Sequence, residues 1–486
     1  MKNRTAGHIT YAGLGAELFT SYDLATVHNA TLKVLEETGV FFEGKNALEI
    51  LKKAGCRIDD KQVAYFPKYL VEEAIRTAPA SFTMAARNPA NDYIIGQDRV
   101  GFCSVGVAVT TVDLSTGETR PSTKNDIAQV GKLTDYLSNY AICFDSLVPR
   151  DVNPDINSLH AYEAYANNNT KHTLQTPADM KTAEYLIEMA AAVAGGEKEL
   201  KKRPIVMGGS CPQSPLGYST GAADSIIAYA GFGLPNFLCP MVMAGGTGPV
   251  TLAGTLVIHN AEVLAGLVLA QCVRKGNPVI YGGCTTAMDL RKAAATTGSP
   301  EHALFSAAAA KLAKFYELPS LIAGCWTDSK VTDQQCGHEK TMGALIPALA
   351  GANLIFGGGC VESGLALDFA QLVADNDIYS MVYQTLKGIP VSESTLQLDL
   401  IQAVGPRGNY LAESHTMENM RQEQVWPEFI DRNTTETWLA EGGKTMIDHA
   451  REKTKSILAN HKPAPLDNKI AQELQNIIDR ADKGAI

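Results

Sequence analysis

The residues able to do chemistry lie just beyond a series of short apolar runs. They are Asp145, Gln175, Ser210, Met241, Met243, Thr247, Thr285, Trp326, Asp328, Lys330, Glu362, Glu413 and His415. The set is mixed: isolated acids, one lysine, one histidine and several aromatic or sulfur side chains. No HxxxH, HxH or CxxC spacing fixes two metal ligands together. Cys284, Cys325, Cys360 and His415 could converge only through the fold. Asp333, Gln335 and Glu339 suit the acidic start of a helix.

Two local features suggest binding. Residues 244–248 (AGGTG) sit between a strand candidate and a helix candidate. Such a loop can aim backbone N–H groups at an anion, here a small carboxylate through Gly245, Gly246 and Thr247, or it can be a tight turn. It matches neither GxxxxGK[ST] nor GxGxxG. The aromatic residues Trp326, Phe356 and Tyr410, with Tyr218, follow or close strand candidates. They read either as ordinary packing or as a cage for a quaternary ammonium, each ring contributing about 0.5–2 kcal/mol.

These positions require a repeating scaffold. Strand candidates at 141–145, 172–175, 204–207, 236–239, 278–281, 320–324, 353–356 and 409–413 alternate with amphipathic stretches, and several end in glycine. The spacing is that of βα units, and eight of them predict a closed (β/α)8 barrel over 139–415, of α/β class. In this architecture the residues after each strand share one face. Residues 1–138 predict an N-terminal α+β extension, with helices at 21–38, 45–54 and 68–77 and a hairpin turning near Asp113 and Gly117. Residues 416–486 predict a C-terminal helical extension packed on the barrel, broken at Pro463 and Pro465.

The formal net charge of −10 comes without any basic block, which argues against nucleic acid as a partner. Residues 1–18 lack a signal-type apolar core, and apolar stretches such as 261–272 look too short for a bilayer. A cytoplasmic protein without membrane contact is expected. The ten cysteines are scattered singly, as free thiols are in a reducing compartment.

A further set of segments carries a resemblance: 117–126 (GETRPSTKND), 245–254 (GGTGPVTLAG) with 260–262 (NAE), 328–330 (DSK) with 337–340 (GHEK), 350–355 (AGANLI) and 362–364 (ESG). Tyr410, His415, Thr416, Arg421, Pro427, Asp431 and Arg432 complete it. In order and spacing the chain resembles the trimethylamine:corrinoid methyltransferase family, in the branch without pyrrolysine that handles quaternary amines. The resemblance implies a barrel enzyme, a small betaine substrate with glycine betaine favoured, and a separate corrinoid protein that docks at the barrel mouth. It also implies a homo-oligomer serving one-carbon metabolism, with the cobalamin carried by the partner and no metal on this chain. The type member holds pyrrolysine in its site, whereas every residue here is standard; the loop near Lys330 is the expected counterpart. Lys330, Asp328 and Glu362 are then the catalytic candidates. Phe356, Trp326, Gln175, His338, Tyr218, Gly245, Gly246, Thr247 and His415 are the substrate-binding ones. The other readings are trimethylamine, proline betaine or carnitine as donor, a zinc–thiolate methyltransferase, and a noncatalytic betaine-binding barrel.

Overall fold

The computed structural model describes residues 15–484. Eight parallel strands form one sheet: β1 Gly101–Ser104, β2 Tyr140–Ile142, β3 Thr173–Gln175, β4 Val206–Ser210, β5 Asn236–Leu238, β6 Val279–Gly283, β7 Ser320–Ala323 and β8 Leu354–Gly358. β8 pairs with β1, and a Cys143–Thr173 bridge joins the end of β2 to β3, so the sheet closes on itself. A helix follows each strand: α1 Lys124–Tyr136, α2 Asn157–Asn168, α3 Met180–Ala194, α4 Thr220–Phe232, α5 Leu252–Val273, α6 Pro300–Phe315, α7 Gln334–Ala350 and α8 Phe369–Lys387.

The barrel is the expected one, with one strand exchanged. Residues 409–413 pair with nothing and form an exposed turn, where Leu411 is 83% exposed. The missing strand is Gly101–Ser104, fully buried and flanked by β8 and β2. The barrel therefore begins before residue 139 and its last helix ends at Lys387. The hairpin near Gly117 does form, Thr110–Val112 against Thr119–Pro121, and it lies within the first βα loop.

Paired glycines decide how the walls pack. At the top of β4, a Cβ on Gly209 would press on Leu174 and Thr176, while Gly208 lies against the Tyr229 ring of α4. At the top of β6, a Cβ on Gly282 would meet Phe237 Cε2 at 2.5 Å, and one on Gly283 would meet His259 Cε1 at 2.7 Å. Gly208 and Gly283 make room for rings of the helical layer, and Gly209 and Gly282 for side chains of the bore.

Helix α5 is apolar all round and long enough for a membrane span by length and composition, contrary to the expectation from 261–272. Its burial has a local cause. The N-terminal helices Ser21–Lys33, Lys45–Lys53 and Lys68–Thr77 pack on its outer face while β5 and β6 cover the inner one. The hairpin Ser81–Met84/Tyr93–Gly96 closes the barrel floor, with Tyr93 Oη donating to Asn353 O at 2.8 Å. Helix Met446–Asn460 packs on α8 and α1, and Asn468–Lys483 on α3 and α2.

Gly282→Ala is expected to destabilise by about 1–3 kcal/mol through overpacking. Gly337→Ala, in α7 with nothing near its would-be Cβ, is expected to stabilise by up to about 1 kcal/mol. Chemical denaturation midpoints of the two variants check the opposite signs.

Candidate active site

The bore ends at the mouth in a cluster of rings. Phe356 on β8 touches Phe144 edge-on at 4.9 Å between centroids, Trp326 at 5.8 Å and Phe237 at 6.1 Å. Phe144 and Phe237 stand 5.9 Å apart, and His302 lies 6.2 Å from Trp326. Trp326 Nε1 donates to Phe356 O at 3.1 Å, which fixes the indole. Gly357 and Gly364, both at positive φ, have no Cβ to collide with that indole. The rings pack against one another, so they form an aromatic floor under the mouth.

The expected pair Trp326 and Phe356 is thus brought together, joined by Phe144, Phe237 and His302, which the sequence reading missed. Strand alternation was the available signal, since Phe144 and Phe237 occupy inward registers of segments already read as strands. His302 Nδ1 donates to the carbonyl of Thr285 at 3.1 Å. Nε2 is therefore left without its proton and has no hydrogen-bond partner. Burial pushes the imidazole down to about 4, so it is neutral.

The acids of the mouth divide by role. Asp328 Oδ1 accepts from Thr297 N (2.8 Å), Thr297 Oγ1 (2.8 Å) and Ser363 Oγ (2.7 Å). It ties together the loops after β6, β7 and β8. Glu339 does similar work, accepting from Thr327 Oγ1 at 2.6 Å and Asp328 N at 2.8 Å. Glu362 differs. Its backbone is held at φ +51 by bonds to Ser329 O (2.7 Å) and, through Ser363, to Thr327 O (2.8 Å), yet among the described residues no partner takes its carboxylate. A non-glycine residue strained in this way, half-buried in a mouth loop, marks a functional candidate.

The other expected residues are dispersed. Lys330 is exposed, its Nζ donating to Asp328 O at 2.7 Å. His338 is exposed near the start of α7. Gly245, Gly246 and Thr247 do not present a backbone cradle. Gly246, Thr247 and Gly248 N–H groups all donate to Met243 O, and Gly245 N–H to Gly248 O. The turn is self-satisfied, so the packing reading of this loop holds. Tyr218 lies outside the bore, stacked on Phe42 at 5.0 Å with Oη donating to Glu262 O, because Gly217–Tyr218 pairs with the N-terminal strand Val40–Phe42. His415 sits on helix Ser414–Glu423, whose end is tied to the far end of α8, where Lys387 Nζ donates to Gln422 O at 2.8 Å.

Gln175 also turns outward. Its Oε1 accepts from Tyr229 Oη and its Nε2 is unpartnered. Beside it Asp145 accepts one bond, from Thr176 Oγ1 at 3.2 Å, and burial pushes its carboxyl up to about 7. Cys211, Cys239, Cys284, Cys325 and Cys360 follow β4 to β8 in turn. Burial pushes the thiols of Cys284, Cys325 and Cys360 well up, disfavouring the thiolate that zinc requires. Among the described residues no group of three or more His, Cys, Asp or Glu side chains is arranged to hold a metal ion.

The family model for trimethylamine methyltransferase (MTTB) matches residues 4–485. The trimethylamine methyltransferase MttB of Desulfitobacterium hafniense is 41% identical over 98% of this chain and 96% of its own length. That of Methanosarcina barkeri is 40% identical over 99% and 98%. The glycine betaine methyltransferase of Desulfitobacterium hafniense is 34% identical over 96% and 97%. Among solved structures, the monomethylamine methyltransferase of Methanosarcina barkeri superposes with TM-score 0.51 at 14% identity, over 90% of this chain and 94% of that one.

Asp145 gives a pH test. Its folded pKa, near 7, lies above the unfolded value, so the folded state binds the extra proton and stability falls as pH rises from about 4 to 7. Asp145→Asn is expected to melt a few degrees above wild type at pH 8 and equally at pH 4, the gain growing between and levelling off above pH 7. A pH series of thermal melts reads this; a constant difference would refute the assignment.

Proposed function

Because the chain belongs to the trimethylamine methyltransferase family, we propose that it takes a methyl group from a quaternary amine, a small betaine such as glycine betaine, and delivers it to a corrinoid carried by a separate protein. The nucleophile is the partner's Co(I), and the displaced tertiary amine leaves neutral. No proton needs to be supplied, and the observation that carries the reading is an aromatic floor flanked by a neutral histidine, with Asp328 and Glu339 committed to loop contacts.

Trp326 and Phe356 hold the ammonium by cation–π attraction and exclude water from the methyl group. Because positive charge on nitrogen fades toward the transition state, a tight carboxylate clamp would favour the ground state. Rings and the rim acid Glu362 attract the cation without gripping it. With the Gly245–Thr247 turn self-bonded and His415 at the far end of α8, Lys330 and His338 are left as partners for a betaine carboxylate.

The mouth also suits a macromolecular partner. Val107, Met241, Val250, Leu290, Val331 and Leu365, one or two on each of five βα loops, are 37–64% exposed. An apolar rim of this kind is what a docked protein covers.

Mixing the protein with a Co(I)-reduced corrinoid protein from the same organism tests the proposal. Glycine betaine, proline betaine, carnitine and trimethylamine are offered in parallel, and conversion to methyl-Co(III) is followed by absorbance. Methylation by one betaine and not by trimethylamine is expected, and failure with all four would remove the claim. Trp326→Ala and Phe356→Ala are expected to raise KM about 10-fold, from the loss of one cation–π contact each. Lys330→Ala is expected to raise KM for a betaine but not for tetramethylammonium, which has no carboxylate.

A further inference from the structure

Two thiols meet above the aromatic floor, and methyl transfer makes no use of them. β4 and β5 pair in parallel, with Gly209 opposite Phe237 and Ser210 opposite Leu238. Cys211 and Cys239 come next on each strand. The Cys239 N–H donates to Ser210 O at 2.9 Å, so the register carries on to them. Ser210 and Leu238 face the helical layer: Ser210 Oγ donates to Ala222 O of α4, and Leu238 lies against Gly266 of α5. The residues after them therefore fall on the bore side, one pleat above Gly209 and Phe237. On its other flank Cys239 stands opposite Gly282 of β6, so the cross-strand thiol it meets is that of Cys211.

We propose that Cys211 and Cys239 are an oxidation site, a dithiol at the mouth that peroxide closes to a disulfide. Neighbouring strands run about 4.7–4.9 Å apart, within the roughly 4.4–6.8 Å that a disulfide spans between Cα atoms. The two thiols are already in hydrogen-bond contact, which holds Cys211 below the usual thiol range and Cys239 above it. The exposed member is thus the more acidic, and the sheltered one, 5% exposed, stands beside it. The chain after Cys211 is fixed. Ser214 Oγ and Leu216 N both donate to the buried Glu262 carboxylate at 2.8 Å, and Gln213 N donates to Gly217 O at 2.8 Å. Closure then needs side-chain rotation rather than a rearranged loop.

The Cys211 thiolate attacks one peroxide oxygen and the O–O bond breaks; hydroxide leaves and takes up the thiol's proton as water. The Cys239 sulfur attacks the resulting sulfenic acid, whose hydroxyl leaves with the second thiol proton as another water. Two thiols give up two electrons, peroxide accepts them, and a dithiol reductant reverses the bond by exchange. Peroxide also oxidises Co(I), so the pair is placed to record the condition that stops the partner. In that consequence alone the inference rests on the proposed function.

Reduced full-length protein, freed of reductant without air, is titrated with hydrogen peroxide. Its intact mass is expected to fall by two hydrogens and its thiols, counted in denaturant, by two, with dithiothreitol restoring both. Chymotrypsin cuts between the cysteines at Tyr218, Tyr229 and Phe232, so an unreduced digest is expected to hold a cross-linked peptide joining Cys211 to Cys239. Cys239→Ser is expected to stop at a Cys211 sulfenic acid that dimedone traps. Cys211→Ser is expected to keep its mass at the same dose, and circular dichroism checks that both variants are folded. An unchanged wild-type mass, oxygen added without a cross-link, or a cross-link to another cysteine such as Cys284 would overturn the proposal. None of these readouts depends on turnover, so the thiol pair and the methyl-transfer reading fail separately.

Discussion

The mouth of this barrel depends on an ion pair that never meets water. Lys340 on α7 and Asp375 on α8 lie 2.9 Å apart with both side chains fully buried. Burial alone would drive the lysine neutral, but Asp375 beside it holds its ammonium charged. Each partner also bonds backbone at the tops of the strands. Lys340 Nζ donates to Cys325 O at 2.7 Å and Gly357 O at 3.3 Å, while Asp375 accepts from Gly359 N and Gln371 Nε2, both at 2.7 Å. Cys325, Gly357 and Gly359 are all at positive φ. These are the residues that aim Trp326 and Phe356, so the strain of the turns is carried by a pair that costs about 3–5 kcal/mol to break from one side.

Above the pair, the loops after β6, β7 and β8 are knotted by Asp328, Glu339 and Ser363. Their hydrogen bonds account for acids that look reactive in the sequence. With three donors on Oδ1, the Asp328 carboxylate is held as a tie between loops. What is left at the mouth is polarisable rather than acidic: four rings, a neutral imidazole and one unpartnered carboxylate on a strained backbone. The rigidity lies in the polar frame, and the rings it carries are apolar.

Periodicity made most of this legible. Seven of the eight strand positions and the helices between them follow from apolar runs at βα spacing. The eighth did not. Gly101–Ser104 is four residues long and sits inside a β-rich stretch, while Tyr410-Leu411 imitates a strand that has no neighbour to pair with. The site was legible only where backbone direction follows from strand alternation. Trp326 and Phe356 were placed together at the mouth because they follow or close strand candidates, and the structure packs them side by side. Gln175 and Tyr218 were misplaced because facing depends on what packs outside: Tyr229 draws Gln175 outward, and the N-terminal strand Val40–Phe42 captures Tyr218. The glycine loop failed for another reason. Its N–H groups could serve an anion or their own turn, and Met243 O lies within reach of three of them.

The same contrast bears on how a cation is handled. A buried carboxylate placed for tight binding would resist the loss of positive charge that accompanies methyl transfer, whereas a ring's attraction is weaker and less directional. The molecule keeps the fully buried Lys340–Asp375 pair between α7, α8 and the strand tops, where it fixes geometry, and leaves Glu362 at the rim in partial contact with solvent. There its field is screened by water, enough to draw a cation toward the mouth and too weak to hold it in the ground state. On the proposed reading, the arrangement places strong electrostatics in the frame and weak electrostatics where the substrate's charge would fade.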